Sequence, residues 1–208
     1  MKNIVVLVSG GGTNLQALID AEKSGLINNG KITCVVSSNP EAYALKRASD
    51  NGISTDIIRR KDFKTFEEYD EKLTALLISK NADLIVLAGF MTILGKKVIS
   101  AFKNRIINIH PALIPSFCGE GFYGLKVHEK ALEKGVKLTG ATAHFVNEIC
   151  DGGPIIIQKA VEIKNGDTPE VLQKRVMEEA EWKILPKAVS LFCEDKIKII
   201  GNKTEILE

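Results

Sequence analysis

An amide and an imidazole stand two residues apart in Asn108-Ile109-His110-Pro111, at the end of the apolar run Arg105-Ile106-Ile107-Asn108-Ile109-His110. Alternate residues of a strand share one face. In a sheet covered by helices on both sides that face would read Val or Ile, so two polar side chains at the strand's carboxyl end fall where open α/β sheets hold ligands. An Asn NH2 donates, and an imidazole donates or accepts according to its protonation, a combination suited to stabilising an oxyanion and moving a proton. Asp151, in Asp151-Gly152-Gly153-Pro154, is the expected third member. The link 147–153 is longer than a two-residue Asp-Gly hairpin turn, and its glycines would let the carboxylate reach the sheet edge. Beside His110 a carboxylate would favour imidazolium and raise the histidine's pKa toward or above neutrality.

A second chemical feature precedes a helical pattern: Ser9-Gly10-Gly11-Gly12-Thr13-Asn14-Leu15. A glycine-rich turn at a helix N-terminus leaves backbone N–H groups open to an anion, whereas Thr13 or Asn14 as a simple helix cap would not call for three adjacent glycines. The dinucleotide pattern is broken by Leu15, and no acidic ribose ligand follows the second strand, which ends in Ser37-Ser38-Asn39. An ATPase loop is excluded because no Gly-Lys-Ser/Thr is present. Of the other histidines, His128 sits at a charged helix start, Lys126-Val127-His128-Glu129-Lys130, and a surface or capping role is expected. His144 alternates with Thr142 on one strand face and is expected to line the site. The histidine spacing, with no acidic or thiol ligand at zinc-site separation, argues against a metal. Cys118 stands in no nucleophile motif, which leaves a Cys-His acyltransferase as a weak alternative. A non-catalytic nucleotide-binding module would need only the glycine loop.

These residues need elements to position them. The 208 residues, 45% hydrophobic, suit one buried domain spanning 1–208, with a phosphate-binding half of about 1–100 and a catalytic half of about 101–208. Net charge is +2 with no block of one sign, so neither nucleic acid nor a membrane surface is an expected partner. The four cysteines form no Cys-x-x-Cys pair and the N-terminal apolar run is short, which points to a soluble cytoplasmic protein, monomer or homodimer, acting on small molecules. Strands are expected at 4–8, 32–37, 54–58, 84–88, 106–110, 138–145 and 154–163, and helices at 14–24, 41–51, 66–80 and 95–102, followed by one long helix over about 168–195. The first part has the rhythm of βαβ units around a parallel sheet. The strands 138–145 and 154–163 are too close for a crossover and should pair antiparallel. The fold class is therefore α/β, an open twisted sheet with Rossmann-like units, antiparallel pairing toward the C-terminus and helices on both faces.

Taken together, the segments 9–16, Leu-Ala-Gly-Phe-Met (87–91), Asn-Ile-His-Pro-Ala-Leu-Ile-Pro (108–115), His-Phe-Val (144–146) and Asp-Gly-Gly-Pro-Ile (151–155) resemble those of the phosphoribosylglycinamide formyltransferases, the folate-dependent transferases of purine synthesis. The resemblance implies Asn108, His110 and Asp151 as the catalytic trio, and Gly12, Thr13 and Asn14 as the loop holding the substrate's phosphate. It implies that Met91, Thr92, Ile93 and Leu94, with Asn108 and with Asn147, Glu148, Ile149, Cys150 and Asp151, grip the pteridine of 10-formyltetrahydrofolate. Glu178, Glu179, Ala180 and Glu181 would contact the glycinamide ribonucleotide. The expected reaction is direct attack of the amine on the formyl carbon, with Asn108 and protonated His110 stabilising the oxyanion, and without metal or covalent intermediate. Three departures stand out. Phe66 replaces a residue that is often basic, the loop 116–124 is longer than the short Pro-Gly-Leu form, and Trp182 follows Glu181 where His is common. Formyltetrahydrofolate hydrolysis, or another folate-dependent formyl transfer, is the alternative. A tRNA formyltransferase would be expected to carry a further C-terminal domain, and a hydrolase an N-terminal one.

Overall fold

The computed structural model describes residues 1–207 and forms two compact units, Met1–Ile107 and Asn108–Glu208. In the first, β1 (Lys2–Val8), β2 (Gly30–Ser37), β3 (Ser54–Ile57) and β4 (Leu84–Leu87) lie in the order β3-β2-β1-β4. All pairs are parallel, with Val6 opposite Val35 on one side and Val86 on the other. The last five residues of β1 and all of β4 are buried, as expected of central strands with both faces covered. A fifth strand, β5 (Ile106–His110), begins here beside β4 and ends in the second unit.

Helices α1 (Thr13–Lys23), α2 (Tyr43–Asp50), α3 (Phe66–Ser79) and α4 (Lys96–Ala101) complete the first unit. Thr65 and Glu68 form a capping box at the start of α3, a pairing that satisfies two otherwise orphaned N–H groups. One turn further on, buried Asp70 accepts from the N–H groups of Lys97 at 2.8 Å and Val98 at 3.3 Å, so a side chain of α3 caps α4. Position 95 must be glycine for this contact, because a Cβ there would lie 2.1 Å from the Asp70 carboxyl carbon. The junction fixes where α4 begins and so anchors the segment 91–94 that precedes it. At Phe66, the departure from a basic residue, the ring packs on Tyr69 and the guanidinium of Arg60 sits over it, 5.8 Å from the centroid.

In the second unit the end of β5 is followed by β6 (Leu138–Phe145) and β7 (Ile155–Glu162), in the order β5-β6-β7. The β6–β7 pair is antiparallel, as their spacing requires. Helix α5 (Leu125–Lys134) extends the charged start at 126–130. The expected long helix is instead two, α6 (Pro169–Val176) and α7 (Trp182–Cys193), joined by a π-helical turn, Met177–Glu181. Pro186 lies inside α7; it has no N–H for the carbonyl four residues back and its ring crowds that carbonyl, and the wide turn comes directly before this disturbed stretch. Arg175 holds the entry to α6 through two bonds to Asp167, at 2.5 and 2.6 Å, and this guanidinium pulls the Asp167 carboxyl down to about 2. After α7 comes an unexpected hairpin, β8 (Ile197–Ile200) and β9 (Lys203–Ile206). Its two-residue turn, Gly201-Asn202, has Gly201 at φ 59°, the left-handed backbone such turns require.

Candidate active site

Four polar side chains of the second unit converge where β5 and β6 present them. Asn108 and His110 project from the last three residues of β5, and His144 from the penultimate position of β6. Thr142, on the same face as His144, donates to the Ala112 carbonyl at 2.7 Å and accepts from the Ile114 N–H at 3.1 Å, which holds the chain as it leaves His110. Asp151 arrives from the β6–β7 link. That link is closed by Asn147, whose amide donates to the Gly152 carbonyl at 3.2 Å and accepts from the Ile149 N–H at 2.9 Å.

Each histidine has one ring nitrogen against a backbone carbonyl, which places a proton on that nitrogen. Carbonyl oxygens only accept. The His144 Nδ1 lies 2.8 Å from the Phe145 carbonyl and therefore carries a proton, and its Nε2 lies 3.2 Å from the Asn108 amide nitrogen. This orients the Asn108 amide. His110 is 4% exposed, and its Nε2–H donates to the Phe117 carbonyl at 2.8 Å. Its other nitrogen, Nδ1, faces the Asp151 carboxylate at 3.5 Å, and the second Asp151 oxygen lies 3.6 Å from His144 Nε2. The Gly119 N–H donates to Asp151 at 2.9 Å, so the loop 116–124 touches both members of the His–Asp pair. Phe117 and Asp151 both occupy left-handed backbone, at φ 48° and 54°. A bulky residue such as Phe is seldom found there.

Burial reverses the expected sign of the His110 shift. Asp151 and the Phe117 carbonyl pull its pKa upward as anticipated, but desolvation is the larger effect and holds it below its ordinary value. The imidazole is therefore mainly neutral at pH 7. Burial would raise the Asp151 carboxyl, yet His144, His110 and the Gly119 N–H together hold it below the usual carboxylate value. His128 corrects a second expectation. It is 0% exposed rather than at the surface, neither ring nitrogen has a hydrogen-bond partner, and burial, with the charge of His110, lowers its pKa to about 4. Its neighbours in sequence are charged because α5 is amphipathic; Val127, His128 and Ala131 are its buried residues.

A cavity of about 650 Å³ adjoins Asp151, bordered by Ile114, Pro115, Cys118, Ile149 and the hairpin residues Asn202 and Lys203, among others. Burial and Asp151 raise the thiol pKa of both Cys118 and Cys150, the opposite of what activates a nucleophilic cysteine. Glu148 is exposed, and Ile149 is 69% exposed. Glu178, Glu179, Ala180 and Glu181 all fall in the π turn, the first two exposed and the last two buried. Such turns recur at functional positions, but the sequence offered only helical periodicity there.

In the first unit Gly12 caps α1 in left-handed backbone, with no side-chain cap, so Thr13 and Asn14 open the helix instead of capping it. Ser9, at the end of β1, accepts from the Met91 N–H at 2.9 Å and shares a 2.6 Å hydrogen bond with Ser38. This ties the glycine loop to the segment 91–94. There Met91 and Ile93 are 54% and 67% exposed while Leu94 is buried, and Thr92 is half-buried.

Comparison with known proteins identifies the family. Residues 2–189 match the formyl transferase family model. The chain is 42% identical, over 97% of its length and 92% of the relative's, to a phosphoribosylglycinamide formyltransferase of Haemophilus influenzae. Glycinamide ribonucleotide transformylase 1 from Symbiobacterium toebii superposes with a TM-score of 0.94 at 40% identity, covering 100% of this chain and 95% of that one. A formyltetrahydrofolate deformylase from Pseudomonas syringae superposes at 0.87 with 29% identity, and the chain covers 66% of it. The chain belongs to the formyl transferase family, and it matches the phosphoribosylglycinamide formyltransferases of that family over nearly its whole length.

Proposed function

We propose that this enzyme transfers the formyl group of 10-formyltetrahydrofolate to the primary amine of 5-phosphoribosylglycinamide, a step of de novo purine synthesis in the cytoplasm. The observation that carries the reading is the set of two buried histidines, His110 and His144, with half-buried Asn108 and Asp151 within contact distance of them. Binding alone would not call for an imidazole faced by a carboxylate and an amide locked in one orientation. The exposed apolar side chains Met91, Ile93 and Ile149, in the segments that the resemblance assigns to the pteridine, suit a flat aromatic ring. Gly12, Thr13 and Asn14 would take the phosphate, and the turn with Glu178, Glu179, Ala180 and Glu181 the rest of the ribonucleotide.

His110 starts neutral. As the amine attacks the formyl carbon, His110 accepts at Nδ1, its unprotonated nitrogen, the proton that the amine must lose, and Asp151, which faces that nitrogen, stabilises the imidazolium so formed. The Asn108 NH2 and the new imidazolium then stabilise the tetrahedral oxyanion, and the proton passes from His110 to the leaving N10. This replaces an imidazolium present from the outset, which burial disfavours.

Hydrolysis is the competing reading, favoured by the likeness to the deformylase, with water in place of the amine. Folate absorbance, followed with purified protein in the presence and absence of phosphoribosylglycinamide, tests the choice. Turnover that requires the amine is expected; equal turnover without it would assign hydrolysis.

A further inference from the structure

We infer that Arg47 is a positioning residue for the phosphate of the substrate, acting through the peptide planes of the glycine loop; this rests on the proposed phosphate role of that loop. Helix α2 packs directly on the loop: a Cβ at Gly12 would lie 2.6 Å from Ala44 Cβ and 3.4 Å from Arg47 Cδ. Two successive carbonyls are turned toward α2. The Gly10 carbonyl accepts from the Ala44 N–H at 3.1 Å, and the Gly11 carbonyl accepts from Arg47 Nε at 2.9 Å. In a trans peptide the carbonyl of one residue and the N–H of the next point in opposite directions. The N–H groups of Gly11 and Gly12 are therefore aimed away from α2, and a Cβ at Gly10 or Gly11 would meet nothing within 4 Å. Consecutive N–H groups so aligned form a concave anion site, and the Gly12 carbonyl is itself spent on Gln16 N–H at 2.9 Å in the first turn of α1.

The Gly12 end of this arrangement is set by its own left-handed backbone, but the Gly11–Gly12 peptide is held by Arg47. That guanidinium is immobilised on three sides, by Gly11, by Gln16 Oε1 at 3.1 Å and by the Tyr43 ring at 5.0 Å. It supplies a fixed positive charge behind the loop as well as a directional donor. A lysine would keep the charge and lose the fork geometry, which makes the two contributions separable.

Arg47→Gln and Arg47→Lys enzymes, compared with wild type, test this by steady-state kinetics and by the amide NMR signals of Gly11 and Gly12 during titration with inorganic phosphate. Arg47→Gln is expected to raise KM for phosphoribosylglycinamide and weaken phosphate binding, each roughly tenfold or more, while kcat and KM for 10-formyltetrahydrofolate change less than about twofold, a span well inside the tenfold that separates one good contact from none. Arg47→Lys should recover little of the loss. Full recovery by lysine would overturn the orienting role in favour of charge alone. Glycine amides that respond to phosphate equally in all three proteins would refute any role for Arg47 and leave the loop assignment standing. If they respond in none, wild type included, and phosphate fails to compete with the ribonucleotide, the loop assignment and this inference fall together.

Discussion

At the scale of single residues the proposed mechanism depends on one imbalance: burial favours neutral His110, and Asp151 would make charging it tolerable when the proton arrives. Truncation of His110 or Asn108 to Ala should lower kcat by roughly 10²–10³ with little change in KM for either substrate, since each contact strengthens chiefly as charge develops; near-normal turnover in a folded variant would refute the oxyanion assignment. Asp151→Asn separates the proposed role from a purely architectural one, because an amide oxygen still accepts from the Gly119 N–H. Without the carboxylate's charge the imidazolium is less stable and the His110 pKa falls further. If neutral His110 is the active form of the free enzyme, the acid limb of the kcat/KM profile moves to lower pH, and the rate at pH 7 drops because a weaker base remains. An unmoved limb would return Asp151 to the turn. Asn108 and His110 were legible in the sequence because two polar residues on one face of an apolar strand contradict their surroundings. The net direction of the His110 shift was not, since it depends on how deeply the ring is buried, which strand alternation does not report.

Elements with strong periodicity were legible to within a residue or two, and where they were not the reason is local. β5 and β6 match their expected bounds, because buried strands flanked by breakers carry both a pattern and its ends. The long helix was misread at 177–181, since a π turn keeps the apolar spacing nearly intact while shifting the hydrogen bonds by one residue. The hairpin after Cys193 was missed although Gly201-Asn202 is a recognised turn pair, because its strands are short and only alternately half-buried. The α3–α4 junction shows what patterns cannot report: a buried carboxylate serving as the cap of another helix. Asp70→Ala leaves the N–H groups of Lys97 and Val98 without their acceptor, and is expected to cost about 1–3 kcal/mol in urea unfolding. Because α4 is the anchor of the segment 91–94, KM for 10-formyltetrahydrofolate should rise more than KM for the ribonucleotide. Equal rises in both would mean that the cap supports the fold alone.

For the molecule as a whole, the sharpest consequence of the structure lies in a residue that takes no part in the proposed chemistry. His128 is completely buried with neither nitrogen satisfied, and its pKa of about 4 contrasts with about 6.5 in an unfolded chain. Above pH 6.5 it is neutral in both states and its contribution is full. As pH falls from 6.5 toward 4 the unfolded chain takes up a proton that the folded protein refuses, so stability declines through this window, by about 3 kcal/mol in total. Below pH 4 both states are protonated and no further loss comes from this ring. His110, also held below its ordinary value by burial, adds to the decline with the same sign. His128→Leu removes one of the two titrations along with a buried donor that has no acceptor, so stability at pH 7 should be equal or higher. Urea unfolding at pH 7 and pH 5 should then show wild type losing roughly 2 kcal/mol more than the variant between the two. Parallel losses would mean that His128 is not the group that couples this fold to acid, and His110 alone would have to account for whatever slope remains.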